Sequence, residues 1–256
     1  MSEQNPYQPP AANIEMSAPV GQLSGAKGVA VGRGLSWYGE GFDLFKQNPW
    51  IWILNIVLFF IIMSVMSVVP FVSILTSLLY PVFVGGLILG CRDLDEGNEL
   101  NVSHVFAGFQ HRTGTLIGLG AINMVLSILF VAIIFGVMIA MGSLNFEAME
   151  TGQMSDEQAL SMSLAVLIGM LFMFPLIMLF WFAPTLIVLN DEIGIIEAMK
   201  LSFMGCLKNI LPFLIYGIVG FILMIIATIP LGLGWLVLVP VFLGTVYVSY
   251  KDIFLK

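Results

Sequence analysis

Charged residues are scarce in this chain. Of its 256 residues only 10% are Asp, Glu, Lys or Arg, whereas 59% are apolar and the mean hydropathy is +1.01. About a quarter of the residues in an ordinary soluble domain are charged. The composition therefore excludes an ordinary soluble domain and indicates a protein that folds in a lipid bilayer.

Basic residues are rarer still. Nine Lys and Arg residues against sixteen Asp and Glu residues give a net charge of −7. No basic patch is present in the sequence that would neutralise phosphates. We therefore expect no binding to nucleic acid.

Histidine and cysteine, each present twice, are too few for the common metal sites. His104 and His111 lie seven residues apart with no third ligand evident nearby, whereas a zinc site needs three or four ligands. Cys91 and Cys206 have no CxxC spacing, so we expect no disulfide and treat both as small apolar residues. We expect no metal and no cofactor.

Catalytic motifs are also missing. Ser36, Ser103 and Ser202 have no His and acid at a recognisable spacing, and the glycines near Lys27 are not in the order of a phosphate loop. The prediction is that the chain is not an enzyme.

Six long apolar segments are what the chain does have. Each reaches the roughly 17–25 residues that a helix needs to cross the hydrocarbon core. None contains Asp, Glu, Lys, Arg or His, which argues against a pump with a charged relay in its core. The segments are 50–69, 72–90, 115–141, 160–189, 210–229 and 231–250.

All nine basic residues fall on one side of the membrane if these segments span it. Loops rich in Lys and Arg stay in the cytoplasm, so we expect both termini to be cytoplasmic. The basic residues are Lys27, Arg33, Lys46, Arg92, Arg112, Lys200, Lys208, Lys251 and Lys256.

Residues 1–34 are polar and rich in Pro, Gly, Ala and Gln, and they lack the basic start and apolar run of a secretory leader. We expect a flexible cytoplasmic tail. Within it, Asn5, Pro6 and Tyr7 open a proline-rich segment that is a candidate docking site for a protein partner.

An amphipathic segment precedes the first, third and fifth spans. Each has an apolar stripe at helical spacing and is too short to span, so we predict three interfacial helices. The stripes are Leu35, Tyr38, Phe42 and Phe45, then Val102, Val105, Phe106 and Phe109, then Ile196, Met199, Phe203 and Leu207. The candidate interfacial contacts are Tyr38, Phe42, Phe45, Phe106, Phe109, Met199 and Phe203.

The sequence also repeats at the level of residues. The run PVFVG at 81–85 resembles PVFLG at 240–244, and the same offset pairs 92–94 with 251–253. We predict an all-α polytopic bundle of six transmembrane helices over 35–256, built from three parallel units at about 35–95, 100–189 and 192–253. Two spans per unit leave successive units in the same orientation.

Few polar or helix-bending residues interrupt the spans. Asn55 and Asn123 are the candidate intramembrane polar contacts. Packing against a neighbouring helix is the favoured interpretation of both, and contact with a substrate is the alternative. We expect Pro175 and Pro184 to kink the long fourth span.

Four segments of the sequence carry a resemblance to known proteins: NPYQPP at 5–10, GFDLFKQNP at 41–49, GGLILGCR at 85–92, and Ala183-Pro184 followed by EAMKLS at 197–202. They resemble an uncharacterised family of bacterial inner-membrane proteins, and more loosely the membrane domain of some glycerophosphodiester phosphodiesterases. The resemblance implies a six-helix bundle in a bacterial cytoplasmic membrane, and it supplies no activity and no catalytic residues.

Three functions fit these observations. The favoured one is a non-enzymatic scaffold or helper in an envelope process, which would contact partners through the tail or the interfacial helices. The alternative is a permease or exporter of a neutral or lipophilic solute, with its site between the repeats. A lipid-modifying enzyme comes third because nucleophiles and acid-base pairs are lacking.

Overall fold

The structure, a computed structural model, describes residues 23–68, 72–141 and 155–256. Asn5, Pro6 and Tyr7 lie outside these ranges. Helices form nearly all of the described chain, and an isolated bridge joins Leu23 to Leu255. The helices are α1 (Arg33–Gln47), α2 (Pro49–Val68), α3 (Val72–Asp95), α4 (His104–Ala107), α5 (Thr113–Ala140), α6 (Asp156–Phe180), α7 (Ala183–Leu189), α8 (Ile195–Lys208), α9 (Ile210–Thr228) and α10 (Trp235–Phe254).

Six membrane spans confirm the predicted all-α polytopic bundle. Helices α2, α3, α5, α9 and α10, and α6 together with α7, are long and apolar enough to cross a bilayer. Large apolar side chains such as Val131, Leu171 and Phe221 are mostly exposed on the outside of the bundle. Such a surface is stable against lipid tails and unstable in water, so the protein is a multi-pass membrane protein.

The helix of the fourth span is interrupted near Pro184, where we predicted a kink. Helix α6 ends at Phe180, and α7 begins at Ala183 with the proline in its first turn. A proline ring clashes with the carbonyl four residues earlier, which here belongs to Phe180. The hydroxyl of Ser202 forms hydrogen bonds with the backbone at this interruption. It accepts a hydrogen bond from the Phe182 N–H (2.9 Å) and donates one to the Met178 carbonyl (2.7 Å).

The sixth span begins four residues later than predicted. Leu231 and Gly232 have φ angles of 54° and 83°, a left-handed conformation that ends a helix. Helix α10 therefore starts at Trp235, and Leu231 lies in the turn between α9 and α10. Hydropathy alone did not separate the turn from the span because the turn is itself apolar.

Two of the three predicted interfacial helices form as expected, and the middle one does not. Helices α1 and α8 have 15 and 14 residues, whereas α4 has four and is flanked by turns. Val102, Val105 and Gly108 favour helix weakly. Gly108 also lies against the backbone of Val82, where no side chain fits.

Only half of the apolar stripe predicted for α1 is buried. Tyr38 and Phe45 are buried, but Leu35 and Phe42 are 58% and 42% exposed. The buried face instead includes Gly34, which lies against the backbone of α9. Trp37 and Leu44 are buried on this face as well. The buried face is therefore rotated from the predicted stripe, and Gly34 belongs to it because a glycine lets two backbones approach closely.

The short helices join the units into a ring. In each unit a short helix is followed by two long spans, and each short helix packs on the second span of the unit before it: α1 on α10, α4 on α3, and α8 on α6 and α7. These short helices lie at the end of the bundle that carries all nine basic residues, which we call the basic end.

Candidate binding cavity

A cavity of about 550 Å³ lies between the spans. Helices α3, α5, α6, α7, α9 and α10 contribute to its wall. Its lining is mainly aliphatic and aromatic and contains no charged residue. The groups that add polarity are Tyr80, Asn123, Trp181 and Tyr216.

The break in the fourth span shapes one side of this cavity. Trp181 and Pro184, which lie at the break, both line it. The Trp181 ring packs edge-on against Tyr216 and Phe213, with centroids 5.8 and 5.9 Å apart. Its indole nitrogen is buried and has no hydrogen-bond partner among the described residues.

Tyr216 connects the cavity to the short helix α1. Its hydroxyl is 2.9 Å from Thr245 Oγ1, and its carbonyl accepts a hydrogen bond of 2.9 Å from the Tyr38 hydroxyl. The rings of Tyr38 and Tyr216 stack with centroids 4.8 Å apart. Burial raises the pKa of Tyr38, so its phenol stays protonated and remains a donor.

Asn123 lies where two cavities meet. It is half-buried in α5 and lines the 550 Å³ cavity as well as a second one of about 530 Å³. The second cavity is open to the outside of the bundle, since Val131 and Phe135 in its lining are 63% and 48% exposed. Ser77 and Ser127 also line it. The position suits contact with a bound molecule, which was the alternative interpretation of this residue.

Asn55 occupies a different environment. It is fully buried in α2 and lines neither of these cavities. Its Nδ2 donates to the carbonyl of Asn101 over 3.3 Å, and its Oδ1 has no partner among the described residues. This bond ties α2 to the connection before α4, which agrees with the favoured interpretation of packing.

The candidate interfacial residues differ in how far they are buried. Met199, like Tyr38 and Phe45, is buried inside the protein. Phe203 is half-buried. The others, Phe42, Phe106 and Phe109, are each about two-fifths exposed at the basic end, where they are free to contact lipid or a partner.

A smaller polar pocket of about 190 Å³ lies at the basic end. His104 is buried there, with Nε2 2.9 Å from Asp93 Oδ2, and its Nδ1 accepts a hydrogen bond of 2.9 Å from the Asn101 N–H. The sequence predicts no partner for His104, so this pair was missed. The available signal was the fixed offset that pairs Asp93 with Asp252 in the predicted repeat. Asp252 also accepts a hydrogen bond, of 2.8 Å from the Trp37 indole.

Neither histidine belongs to a metal site within the described ranges. No three His, Cys, Asp or Glu side chains come together there in a way that would hold an ion. His111 lines the polar pocket. The contacts of His104 instead fasten α4 to α3.

Comparison with known proteins shows that the chain is similar in sequence to a membrane protein. It is 27% identical over 210 residues to a protein of Burkholderia thailandensis named "Probable inner membrane protein", and the match covers 76% of this chain and 74% of the relative. No family model matches the chain. No solved structure matches it either. The looser likeness to the phosphodiesterase membrane domain is not shown by these comparisons.

Proposed function

We propose that this protein binds an uncharged lipophilic molecule in the 550 Å³ cavity and acts as a permease or exporter for it. The carrying observation is an apolar cavity without a charged residue, placed among the spans. Small-molecule sites have volumes of about 300–1,000 Å³ and are lined by apolar and aromatic side chains with a few polar groups. The lining of this cavity follows that pattern.

The absence of charge from the lining restricts the solute. A charged group that enters the membrane interior without a partner loses several kcal/mol of hydration free energy. The described lining supplies no opposite charge to offset that loss. A neutral solute that is already dissolved in lipid enters the cavity without this loss of hydration free energy.

We also place the protein in the inner membrane with the basic end in the cytoplasm. The name of the Burkholderia thailandensis relative supports the membrane. The nine basic residues at one end support the orientation, because Lys and Arg are retained on the cytoplasmic side.

Photolabelling of the protein in proteoliposomes tests the cavity. A long-chain alcohol with a diazirine in its chain should attach to residues of the cavity wall, as mapped by mass spectrometry. The double substitution Val84→Phe and Leu243→Phe fills the cavity from two helices. It should lower labelling of the wall about tenfold and abolish flux of the same alcohol.

The matched control is Val125→Phe, which adds a ring on the exposed face of α5 outside both cavities. Labelling of this variant should equal that of the unaltered protein. Thermal unfolding of each variant in detergent checks that it is folded. Equal labelling of the cavity-filled variant and the control would refute the proposal.

A scaffold or helper role is the second candidate. It is favoured by the exposed aromatic residues Phe42, Phe106 and Phe109 at the basic end. A photoreactive amino acid at Phe42 should then cross-link one defined protein in cells, and deletion of residues 1–27 should reduce the yield. Cross-links to lipid alone would exclude this role for the surface.

A further inference from the structure

Asn123 is the side-chain amide at the junction of two uncharged cavities, and this inference about it rests on the proposed function. The 550 Å³ cavity lies on one side and the 530 Å³ cavity on the other. Together they include residues of α5 from Asn123 to Phe135. Asn123 is the residue that lines both of these cavities.

The other polar groups of the larger cavity are less suited to bind a ligand. The Tyr216 hydroxyl is engaged with Thr245 Oγ1. The Trp181 nitrogen is buried and out of reach of a solvent-sized molecule. Tyr80 and Asn123 are the groups left that offer both a donor and an acceptor. Asn123 lines both cavities, whereas Tyr80 lines the larger one alone.

Two hydroxyls line the second cavity together with this amide. Ser127 follows Asn123 by four residues and therefore lies on the same face of α5. Ser77, which is exposed, contributes from α3. We call the amide and these two hydroxyls the Asn123 site.

We propose that the Asn123 site binds the uncharged polar head of a long-chain amphiphile, a hydroxyl or carbonyl group, while its hydrocarbon chain occupies the 550 Å³ cavity. An amide forms hydrogen bonds with either group. A carboxylate, sulfate or ammonium head is rejected because the described residues of both linings lack charge. A pure hydrocarbon binds more weakly because it leaves the amide without a partner.

Competition against the diazirine alcohol tests this assignment in proteoliposomes. The competitors are 1-hexadecanol, hexadecane and hexadecyl sulfate, which share a chain and differ in the head. With the unaltered protein, hexadecanol should compete about tenfold better than either of the others, the effect of about one hydrogen bond. With Asn123→Leu, hexadecanol and hexadecane should differ by less than about twofold.

Two kinds of control accompany the leucine variant. Ser163→Ala removes an exposed span hydroxyl outside both cavities and should leave the tenfold preference intact. Asn123→Gln and Asn123→Met are matched in length and differ in the amide, so the preference should survive in the first and vanish in the second. This pair decides the question if Asn123→Leu does not fold.

The outcomes separate the two proposals. Equal competition by hexadecanol and hexadecane, with labelling still lost on filling the cavity by Val84→Phe and Leu243→Phe, overturns the Asn123 site and leaves the proposed function standing. An unchanged preference for hexadecanol over hexadecane in Asn123→Met would also overturn the Asn123 site and leave the proposed function standing. If labelling of the cavity wall is unchanged when the cavity is filled, both the proposed function and the Asn123 site are overturned.

Discussion

The Asn209 side chain forms a hydrogen bond with the backbone of Lys27. Its Nδ2 donates to the Lys27 carbonyl oxygen over 2.9 Å, and its Oδ1 accepts a hydrogen bond of 2.8 Å from the Val29 N–H. The Asn209 side chain is fully buried at the end of α8. It therefore ties the chain that precedes α1 and the first unit to the third unit.

Removal of this amide should destabilise the protein. Asn209→Ala loses both bonds and a third one to the Gly205 carbonyl (2.8 Å), so we expect the free energy of unfolding to fall by about 2–3 kcal/mol. The stretch from residue 23 to 32 should also become a site of cleavage in limited proteolysis. Asn98→Ala, at an exposed position, is the control and should change neither result.

Two glycines of α1 should respond in opposite ways to a methyl group. A Cβ at Gly41 would lie 2.8 Å from the Thr245 nitrogen and the Val241 oxygen, whereas a Cβ at Gly39 would meet nothing. Gly41→Ala should therefore cost about 1–3 kcal/mol. Gly39→Ala should be neutral or stabilising by up to about 1 kcal/mol, because alanine favours helix. Thermal unfolding in detergent measures both, and equal shifts would contradict the close packing of α1 on α10.

Asp93 and Asp252 are paired by the predicted repeat, and each accepts a hydrogen bond from a buried side chain, so we expect similar effects from their loss. Asp252→Ala leaves the buried Trp37 indole without its acceptor, and Asp93→Ala does the same to His104. Each should cost about 1–3 kcal/mol. The two costs should add in the double variant because the sites share no partner.

The control for these two variants is Asp191→Ala, at an exposed position. It should leave the midpoint of unfolding unchanged. A loss of stability in only one of Asp93→Ala and Asp252→Ala would show that the two contacts are not equivalent.

Sequence reasoning found the spans because hydropathy alone determines them. It missed the start of α10, where the left-handed Leu231 lies within an apolar run. It also misplaced the face of α1, where Gly34, Trp37 and Leu44 are buried. These features depend on backbone angles and on close contact between helices, and neither appears in a hydropathy pattern.

The candidate site was only partly accessible to the same reasoning. Asn55 and Asn123 look alike in the sequence as lone amides within spans. The fold separates them, with Asn55 bonded to the Asn101 carbonyl and Asn123 at the wall of two cavities. The cavities themselves arise from the packing of six helices, so no local pattern predicts them.

The native thiols should be unreactive in the folded protein. Burial raises the pKa of Cys206 to about 12, and Cys91 is fully buried in α3. At pH 8 maleimide should label them at least about a hundredfold more slowly than a cysteine placed at the exposed Asn98, because the thiolate is the reactive form. Rapid labelling of either native thiol before unfolding would contradict the packing described for α3 and α8.

The slow reaction of the native thiols makes the orientation measurable by reporter cysteines. Asn98→Cys lies at the basic end, in the connection after α3. Gln153→Cys lies between α5 and α6 in the sequence, a connection predicted on the other side of the membrane. A membrane-impermeant maleimide added to intact cells should label Gln153→Cys at once, and Asn98→Cys only after the membrane is opened. Labelling of Asn98→Cys from outside intact cells would contradict six crossings with the basic end in the cytoplasm.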